Sequence, residues 1–269
     1  MIYLLQNSID NIAHTNRLRH INPKLKVIFV ILSLIVCVFS QSVIVPLIIA
    51  TTMIILTLFI AKVPPKIYLG LLSAPIVFGI ITVIMMGFIY GNGDIIYSLN
   101  ILGFKIGFSR YGINMGLLVF SRMLGGVSST LFLIFTTPMT ELFYVLKDLK
   151  IPDILLELTM MVYRYIFVLL DELIRIENAQ KTRLGYKDLK TTYKSLCILA
   201  SSLFIRTWEK GETLFITMSA RGYNGEFRMF GNIENPKLKY VLLILLFELF
   251  LVGLSIITAH FDILKLLGV

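Results

Sequence analysis

Between Lys26 and Lys62 the chain carries no charged residue at all. A helix that crosses the hydrocarbon core of a bilayer needs roughly 20 predominantly apolar residues, so this stretch is long enough for two short spans. Polar residues and a proline near its middle predict the turn of a hairpin, at Ser40, Gln41, Ser42 and Pro46. An uncharged block of this length is typical of membrane helices rather than of a soluble core.

Further apolar blocks at residues 67–93, 112–138 and 240–259 predict a third, a fourth and a fifth span. The chain is 57% hydrophobic and 15% charged, against roughly 45–50% and about 25% in soluble domains. The sequence therefore predicts an all-α polytopic membrane protein in three parts. Residues 1–138 hold the N-terminal segment and four spans, residues 139–239 form a helical segment outside the bilayer, and residues 240–269 hold the last span and a short C-terminus.

Lysine and arginine are concentrated before the first span and after the second, at Arg17, Arg19, Lys24, Lys26, Lys62 and Lys66. The loop from 91 to 111, which begins with a Gly-Asn-Gly-Asp turn, holds only Lys105 and Arg110. Because positively charged loops remain in the cytoplasm, we expect a cytoplasmic N-terminus, a cytoplasmic 139–239 segment and an external C-terminus. The first 26 residues lack a continuous apolar stretch, so no signal peptide is expected.

The net charge of +9 does not predict a nucleic-acid partner. Residues 139–236 contain 13 Lys plus Arg and 12 Asp plus Glu, whereas a surface for nucleic acid or anionic lipid needs a clear excess of positive charge. The remaining charge lies at the ends of the spans, where it indicates topology rather than a ligand.

Two amphipathic helices are predicted within the 139–239 segment. Apolar residues recur at steps of three and four from Leu156 to Ile174, and again from Leu196 to Met218. Acid-then-base pairs, among them Glu177 with Lys181, extend the first helix toward Gly185. The second helix is expected to end near Gly222.

Each helix ends in an arginine followed within two residues by glycine, at Arg183 with Gly185 and at Arg221 with Gly222. One interpretation is a glycine C-cap with a cation placed against the negative end of the helix dipole. The other is that the arginine projects from the protein and reaches acceptors in a groove of a partner. Two such tips would suggest two copies of that partner.

Three strings resemble one family: MSARGY at 218–223, AQKTRLG at 179–185 and NRLRHINPKLK at 16–26. They are similar to the transmembrane T component of energy-coupling factor (ECF) transporters, and most of all to its cobalt group, CbiQ. In that family two Ala-Arg-Gly signatures end cytoplasmic coupling helices and contact a pair of ATPase subunits. The resemblance assigns this role to Ala179, Arg183, Gly185, Ala220, Arg221 and Gly222, although Thr182 and Leu184 replace Ala and Gly around Arg183.

The resemblance implies a membrane subunit that is not itself an enzyme. Its partners would be two ATPase subunits, which bind ATP and Mg, a separate membrane subunit that captures the substrate, and the lipid of a prokaryotic cell membrane. In agreement, the sequence lacks a G-x-x-x-x-G-K-[ST] phosphate loop, so no cofactor is expected on this chain. Cobalt is the expected substrate, with nickel or a vitamin as alternatives.

No metal site or catalytic set is predicted. His14, His20 and His260 are far apart in sequence, and Cys37 and Cys197 are expected to be free thiols. No Ser–His pair, paired aspartates or H-E-x-x-H string is available for catalysis within the spans.

Arg122 and Glu248 lie inside predicted spans, where a charge is costly and often functional. They could face each other as a structural pair that holds the helices together, or face polar groups of a partner subunit. A self-contained secondary transporter or channel is an alternative function, but it would be expected to show internal repeats or several acids at mid-membrane depth. A purely structural scaffold is the other alternative.

Overall fold

The computed structural model describes residues 12–89, 95–101, 104–149, 151–223, 236 and 238–258. The chain divides into two compact units. The membrane unit comprises Met1–Leu142 and Ile233–Val269, and the hairpin unit comprises Phe143–Asn232.

The predicted hairpin of short helices is present at the start of the membrane unit. Helix α1 spans Pro23–Phe39, with proline in its first turn and the side chain of Asn22 accepting a hydrogen bond from the Lys24 N–H at 2.9 Å. After a short turn, α2 spans Ile44–Ile55 and continues as a π-helical turn over Leu56–Ile60. Pro46 lies in the first turn of α2 rather than in the connecting turn, a position at which proline interrupts no helical hydrogen bond.

Three longer helices complete the membrane unit: α3 (Pro65–Ile89), α4 (Arg110–Thr136) and α8 (Leu238–Thr258). Within the described residues, these are the helices long and apolar enough to cross a membrane, and they match the predicted third, fourth and fifth spans. Helix α1 has 17 residues, which is the lower limit for a span. The prediction of a helical, multi-pass membrane protein is confirmed.

A β-hairpin between α3 and α4 was not predicted. Strand β1 (Ile95–Ile101) pairs antiparallel with β2 (Phe104–Ser109), in the loop assigned to the outside. Alternating apolar residues at Ile95, Tyr97, Leu99 and Ile101 were the available signal. The predicted turn at 91–94 lies outside the described residues.

Helix α4 packs against α1, α2 and α3, and small residues on α4 allow this close contact. A Cβ atom on Gly116 would lie 2.9 Å from the Val83 Cα, and a Cβ atom on Gly125 would lie 2.7 Å from the Cys37 Sγ. Ser121, Ser128, Ser129 and Thr136 of α4 are fully buried. Small residues at such contacts let membrane helices approach closely, where van der Waals packing holds them together.

The hairpin unit consists of the end of α5 (Met139–Asp148) followed by α6 (Asp153–Thr182) and α7 (Leu189–Ala220). Both predicted amphipathic helices are therefore present, and the predicted Glu177–Lys181 ion pair is formed at 2.6 Å. The apolar stripe of α7 is largely uncovered, with Phe204, Trp208 and Phe215 between 65% and 72% exposed.

Candidate functional site

The two helix ends that carry Arg183 and Arg221 are called the first and the second arginine tip. The first tip is a well-defined helix end. Arg183 is the C-terminal cap residue of α6. The N–H of Leu184 donates to the Lys181 carbonyl at 3.1 Å, and the N–H of Gly185 donates to the Gln180 carbonyl at 2.9 Å. This pair of bonds is a Schellman motif, which satisfies carbonyl groups that a helix end would otherwise leave unpaired.

The second tip has the same two backbone hydrogen bonds as the first. Arg221 caps α7, the N–H of Gly222 donates to the Ser219 carbonyl at 3.1 Å, and the N–H of Tyr223 donates to the Met218 carbonyl at 3.1 Å. Both tips thus place an arginine at the C-cap, immediately before a residue in the left-handed conformation. The two tips share this geometry because their backbone hydrogen bonds correspond, although the residues around the two arginines differ.

The two tips differ in which residue takes the left-handed position. Gly222 takes it in the second tip, with φ 75°, but Leu184 takes it in the first, with φ 57°. The prediction of a glycine cap is therefore right for Gly222, whereas Gly185 lies one position later. Gly185 is required for space, because a Cβ atom there would lie 2.7 Å from the Ser195 Oγ.

Side-chain hydrogen bonds fix the first tip to the start of α7. The Ser195 hydroxyl donates to the Gly185 carbonyl at 2.8 Å, and the Gln180 amide donates to the Ser195 carbonyl at 2.9 Å. The Tyr186 hydroxyl in turn donates to the Gln180 side-chain oxygen at 2.7 Å. The corner that carries Arg183 is therefore held by bonds from both helices.

The second tip is fixed to the start of α6. The Tyr223 hydroxyl donates to Oε2 of Glu157 at 3.0 Å, and Glu157 is only 5% exposed. Desolvation of the hydroxyl and its hydrogen bond to the Glu157 carboxylate raise the pKa of Tyr223, so the hydroxyl remains a donor at neutral pH.

A third contact, an ion pair between Glu172 and Arg206, joins the middle of α6 to the middle of α7. Because the start of α6 meets the end of α7, the two helices are antiparallel and their arginine tips lie at opposite ends. Helix α7 has 32 residues, so the tips are separated by about 48 Å at 1.5 Å per residue.

Both tip arginines are exposed. Neither guanidinium forms a hydrogen bond or an ion pair with any residue that the structure describes. Ala179 and Ala220, the small residues before them, are exposed as well. Each tip therefore exposes a planar group whose five N–H donors are available for hydrogen bonding.

Arg122 and Glu248 have separate partners on α1. The Nε and Nη2 atoms of Arg122 donate to the Ser40 carbonyl at 3.1 and 2.6 Å, at the C-terminal end of that helix. Oε1 of Glu248 accepts a hydrogen bond from the Ser33 hydroxyl at 2.6 Å. Among the described residues no ion pair joins Arg122 to Glu248. Each of the two side chains instead forms its hydrogen bonds with α1 or with the residue at its end.

Within the part of the chain that the structure describes, no three His, Cys, Asp or Glu side chains are grouped to hold a metal ion. His260 lies outside the described residues. Cys37 is buried, Cys197 is exposed, and both are free thiols.

Comparison with known proteins identifies the family. The family model CbiQ, described as cobalt transport protein, matches residues 14–230, which include both arginine tips. The chain belongs to the CbiQ family. It is 51% identical over 263 residues to an uncharacterized protein of Methanocaldococcus jannaschii, covering 98% of both chains.

Two more relatives of this CbiQ-family chain carry informative names. It is 40% identical over 221 residues to a candidate fused cobalt transport protein, CbiMQ, of Methanocorpusculum labreanum, covering 82% of this chain and 37% of the relative. It is 26% identical over 222 residues to the energy-coupling factor transporter transmembrane protein EcfT of Streptococcus thermophilus, covering 77% of this chain and 81% of the relative.

The predicted family is thus confirmed, and the CbiQ-family chain is a multi-pass membrane component of a transport system rather than an enzyme by itself. Four residues that hold the tips were not predicted from the sequence, namely Glu157, Gln180, Ser195 and Tyr223. For Tyr223 a signal was available, because it follows the second tip directly. The other three are polar residues within helices, and their partners depend on the register between α6 and α7.

Proposed function

We propose that this chain is the coupling subunit of an ATP-driven, ECF-type uptake transporter for cobalt ions. Two ATPase subunits bind ATP and Mg, this chain binds neither, and a separate membrane subunit captures the substrate. The observation that carries the proposal is the presence of two equivalent, exposed arginine tips at opposite ends of one helical hairpin.

The separation of the tips supports two partner bodies rather than one. A distance of about 48 Å exceeds the diameter of a small domain, which is about 30 Å. One tip therefore engages each ATPase subunit. At each tip the guanidinium of Arg183 or Arg221 forms bidentate, charge-assisted hydrogen bonds with acceptors in a groove of the ATPase.

The internal contacts of the hairpin unit support a mechanical role. The Gln180–Ser195 corner, the Glu172–Arg206 ion pair and the Tyr223–Glu157 bond join α6 to α7 at one end, in the middle and at the other end. A hairpin held at three levels moves as one body when the ATPases close on ATP. That motion tilts the hairpin and reorients the substrate-capturing subunit.

Family membership supports the assignment of cobalt, and the names of the relatives agree with it. A fused cobalt transport relative fits a function in which this chain works beside a second component. Nickel and vitamins are the competing substrates. The positive residues around α1 and before α3 support a cytoplasmic N-terminus and a cytoplasmic hairpin unit in a prokaryotic cell membrane.

Charge reversal at the tips tests the coupling function. The tagged chain is purified with its partners, and ATP-dependent cobalt uptake is measured in vesicles that contain the complex. Arg221→Glu is expected to abolish both co-elution of the ATPases and uptake, with Arg183→Glu acting in the same way. Lys194→Glu is the matched control, because it makes the same charge change at an exposed position along α7.

Normal uptake by Arg221→Glu at normal expression would overturn the coupling role. Uptake by the chain alone, without ATPases, would instead identify a self-contained transporter. If the complex forms and moves nickel or a vitamin but not cobalt, the coupling role stands and the substrate assignment falls.

A further inference from the structure

The membrane unit contains a cavity of about 780 Å³ that the coupling function does not use. It lies between the start of α1, the end of α2 and the start of α8. This volume is within the range of sites that hold small organic ligands. The lining separates into a short polar end and a long apolar wall.

The polar end is formed by His20, Asn22 and Lys26. Lys26 is 4% exposed, and its Nζ atom donates one hydrogen bond, at 2.7 Å, to the Thr136 carbonyl. An ammonium group has three N–H donors, so this bond leaves donors that can bind a ligand. A buried cation beside a cavity favours an anionic ligand group at this end.

The apolar wall belongs chiefly to α8. Tyr240, Leu243, Ile244 and Phe247 recur at steps of three, one and three and so form one face of the helix. Phe29 of α1 closes the wall, with its ring centroid 6.0 Å from that of Phe247. Such a surface beside a bilayer is suited to a hydrocarbon chain and not to water, which would find few polar partners there.

The cavity lies where two helices of the membrane unit begin. Both α1 and α8 begin beside its polar end, so that end lies where the lipid headgroups are. No Asp or Glu occurs between Asp10 and Asp94. The start of α1, the end of α2 and the starts of α3 and α8 are flanked by basic residues, namely Arg17, Arg19, Lys24, Lys62, Lys66 and Lys239. Glu141 is close enough for its charge to act on Lys26, and it lies 3.9 Å from the Nε atom of Arg19, which offsets that charge.

We propose that this cavity binds one anionic phospholipid, with its phosphate at His20, Asn22 and Lys26 and an acyl chain along the α8 wall. Basic pockets between membrane helices on the cytoplasmic side are suited to such headgroups. The positive residues that indicate topology thus also supply the field that attracts the headgroup. The site is independent of the ATPase tips, so the two proposals stand or fall separately.

The test uses the full chain, purified in detergent and titrated with phosphatidylglycerol or with phosphatidylcholine of the same acyl chains. Native mass spectrometry counts the lipids bound to each chain. One phosphatidylglycerol per chain is expected to bind with a preference of about tenfold or more over phosphatidylcholine. Equal binding of the two lipids, or no retained lipid, would overturn the proposal.

Two variants locate the bound lipid. Ile244→Trp fills the apolar wall and is expected to abolish the retained phosphatidylglycerol, whereas Leu242→Trp, an exposed position on the opposite face of α8, retains it. His20→Glu places a negative charge at the polar end and is expected to weaken phosphatidylglycerol binding by about fivefold. His14→Glu, outside the cavity lining, is its control.

Circular dichroism and elution volume establish that each variant is folded. Wild-type retention of phosphatidylglycerol by folded Ile244→Trp would place the lipid elsewhere and overturn the site. If Ile244→Trp yields no folded protein, His20→Glu decides the matter, because it changes an exposed side chain. An unchanged lipid preference in folded His20→Glu would equally overturn the proposal.

Discussion

Leu184 and Gly222 occupy the same position in two equivalent helix ends, each following a capping arginine with a positive φ, of 57° and 75°. The left-handed conformation costs a side-chain-bearing residue roughly 1–2 kcal/mol, whereas glycine adopts it freely. The first tip therefore holds a strained residue where the second holds an unstrained one. The hydrogen bonds donated by the Gly185 N–H and the Ser195 hydroxyl offset the cost of this conformation at Leu184.

We predict that Leu184→Gly stabilises the chain by about 0.5–1 kcal/mol, because it removes the strain and loses little packing from a side chain that is 71% exposed. Gly222→Ala should destabilise it by about 1 kcal/mol for the opposite reason. Thermal unfolding of the purified chain measures both changes. A lower melting temperature for Leu184→Gly would mean that the Leu184 side chain contributes to the fold.

Gly211→Ala is the matched control for Gly222→Ala. Gly211 lies inside α7 and has no atom within 4 Å of an added Cβ, so alanine should stabilise the helix there by about 0.5–1 kcal/mol. Opposite signs for the two glycine-to-alanine changes would distinguish the left-handed position from an ordinary helical one.

Most of the fold could be predicted because membrane spans have a length requirement that uncharged blocks reveal. The five predicted spans correspond to α1, α2, α3, α4 and α8. The short β1–β2 hairpin was not predicted, because only the Gly-Asn-Gly-Asp turn and the few positive charges of that loop were interpreted. Pro46 was assigned to a turn because sequence does not distinguish a turn proline from one in the first turn of a helix.

The site could be predicted only in part. The arginines and the helix ends follow from local pattern, because capping depends on residues within one turn. The partners of Arg122 and Glu248 depend on how α1 packs against α4 and α8, which local pattern does not determine. The cap geometry of the first tip was not predicted, because Leu184 is a residue type that rarely takes the left-handed position.

Tyr223→Phe is predicted to loosen the second tip without unfolding the chain. The substitution removes the hydroxyl that donates to Glu157 and leaves a buried carboxylate with one bond fewer. We expect a lower melting temperature and reduced co-elution of the proposed ATPase partners. Tyr193→Phe is the control, since Tyr193 lies on α7, the helix that ends in the second tip, and is 74% exposed. Full co-elution with Tyr223→Phe would show that the bond does not position Arg221.

The same bond has a predictable pH dependence. The pKa of Tyr223 is raised above its usual value by desolvation and by the Glu157 carboxylate. A raised pKa means that the stabilisation is present at neutral pH and is lost as pH rises through the pKa of the folded state. Wild type should therefore lose its advantage over Tyr223→Phe only in alkaline solution, as measured by melting temperature. A difference that persists unchanged through strongly alkaline solution would contradict this sign.

Arg122→Lys is predicted to destabilise the membrane unit by about 1 kcal/mol, because lysine lacks the planar pair of N–H groups that both bind the Ser40 carbonyl. Arg164→Lys, at an exposed position of α6, should leave the melting temperature unchanged. Loss of transport in Arg122→Lys with an unaltered melting temperature would indicate a role for Arg122 beyond holding the end of α1.

Glu248→Gln distinguishes a structural acid from a functional one. Oε1 of Glu248 accepts the Ser33 hydroxyl at 2.6 Å, and a glutamine oxygen can accept the same bond. Oε2 is buried without a hydrogen-bond partner among the described residues, so replacing it with an amide removes a charge and adds a donor.

If Glu248 only joins α8 to α1, Glu248→Gln should melt at or above the wild-type temperature and support normal cobalt uptake. Ser33→Ala, which removes the bond from the other side, should lower the melting temperature instead. Normal stability with abolished uptake in Glu248→Gln would show that the charge itself acts in transport, since the hydrogen bond to α1 survives in that variant.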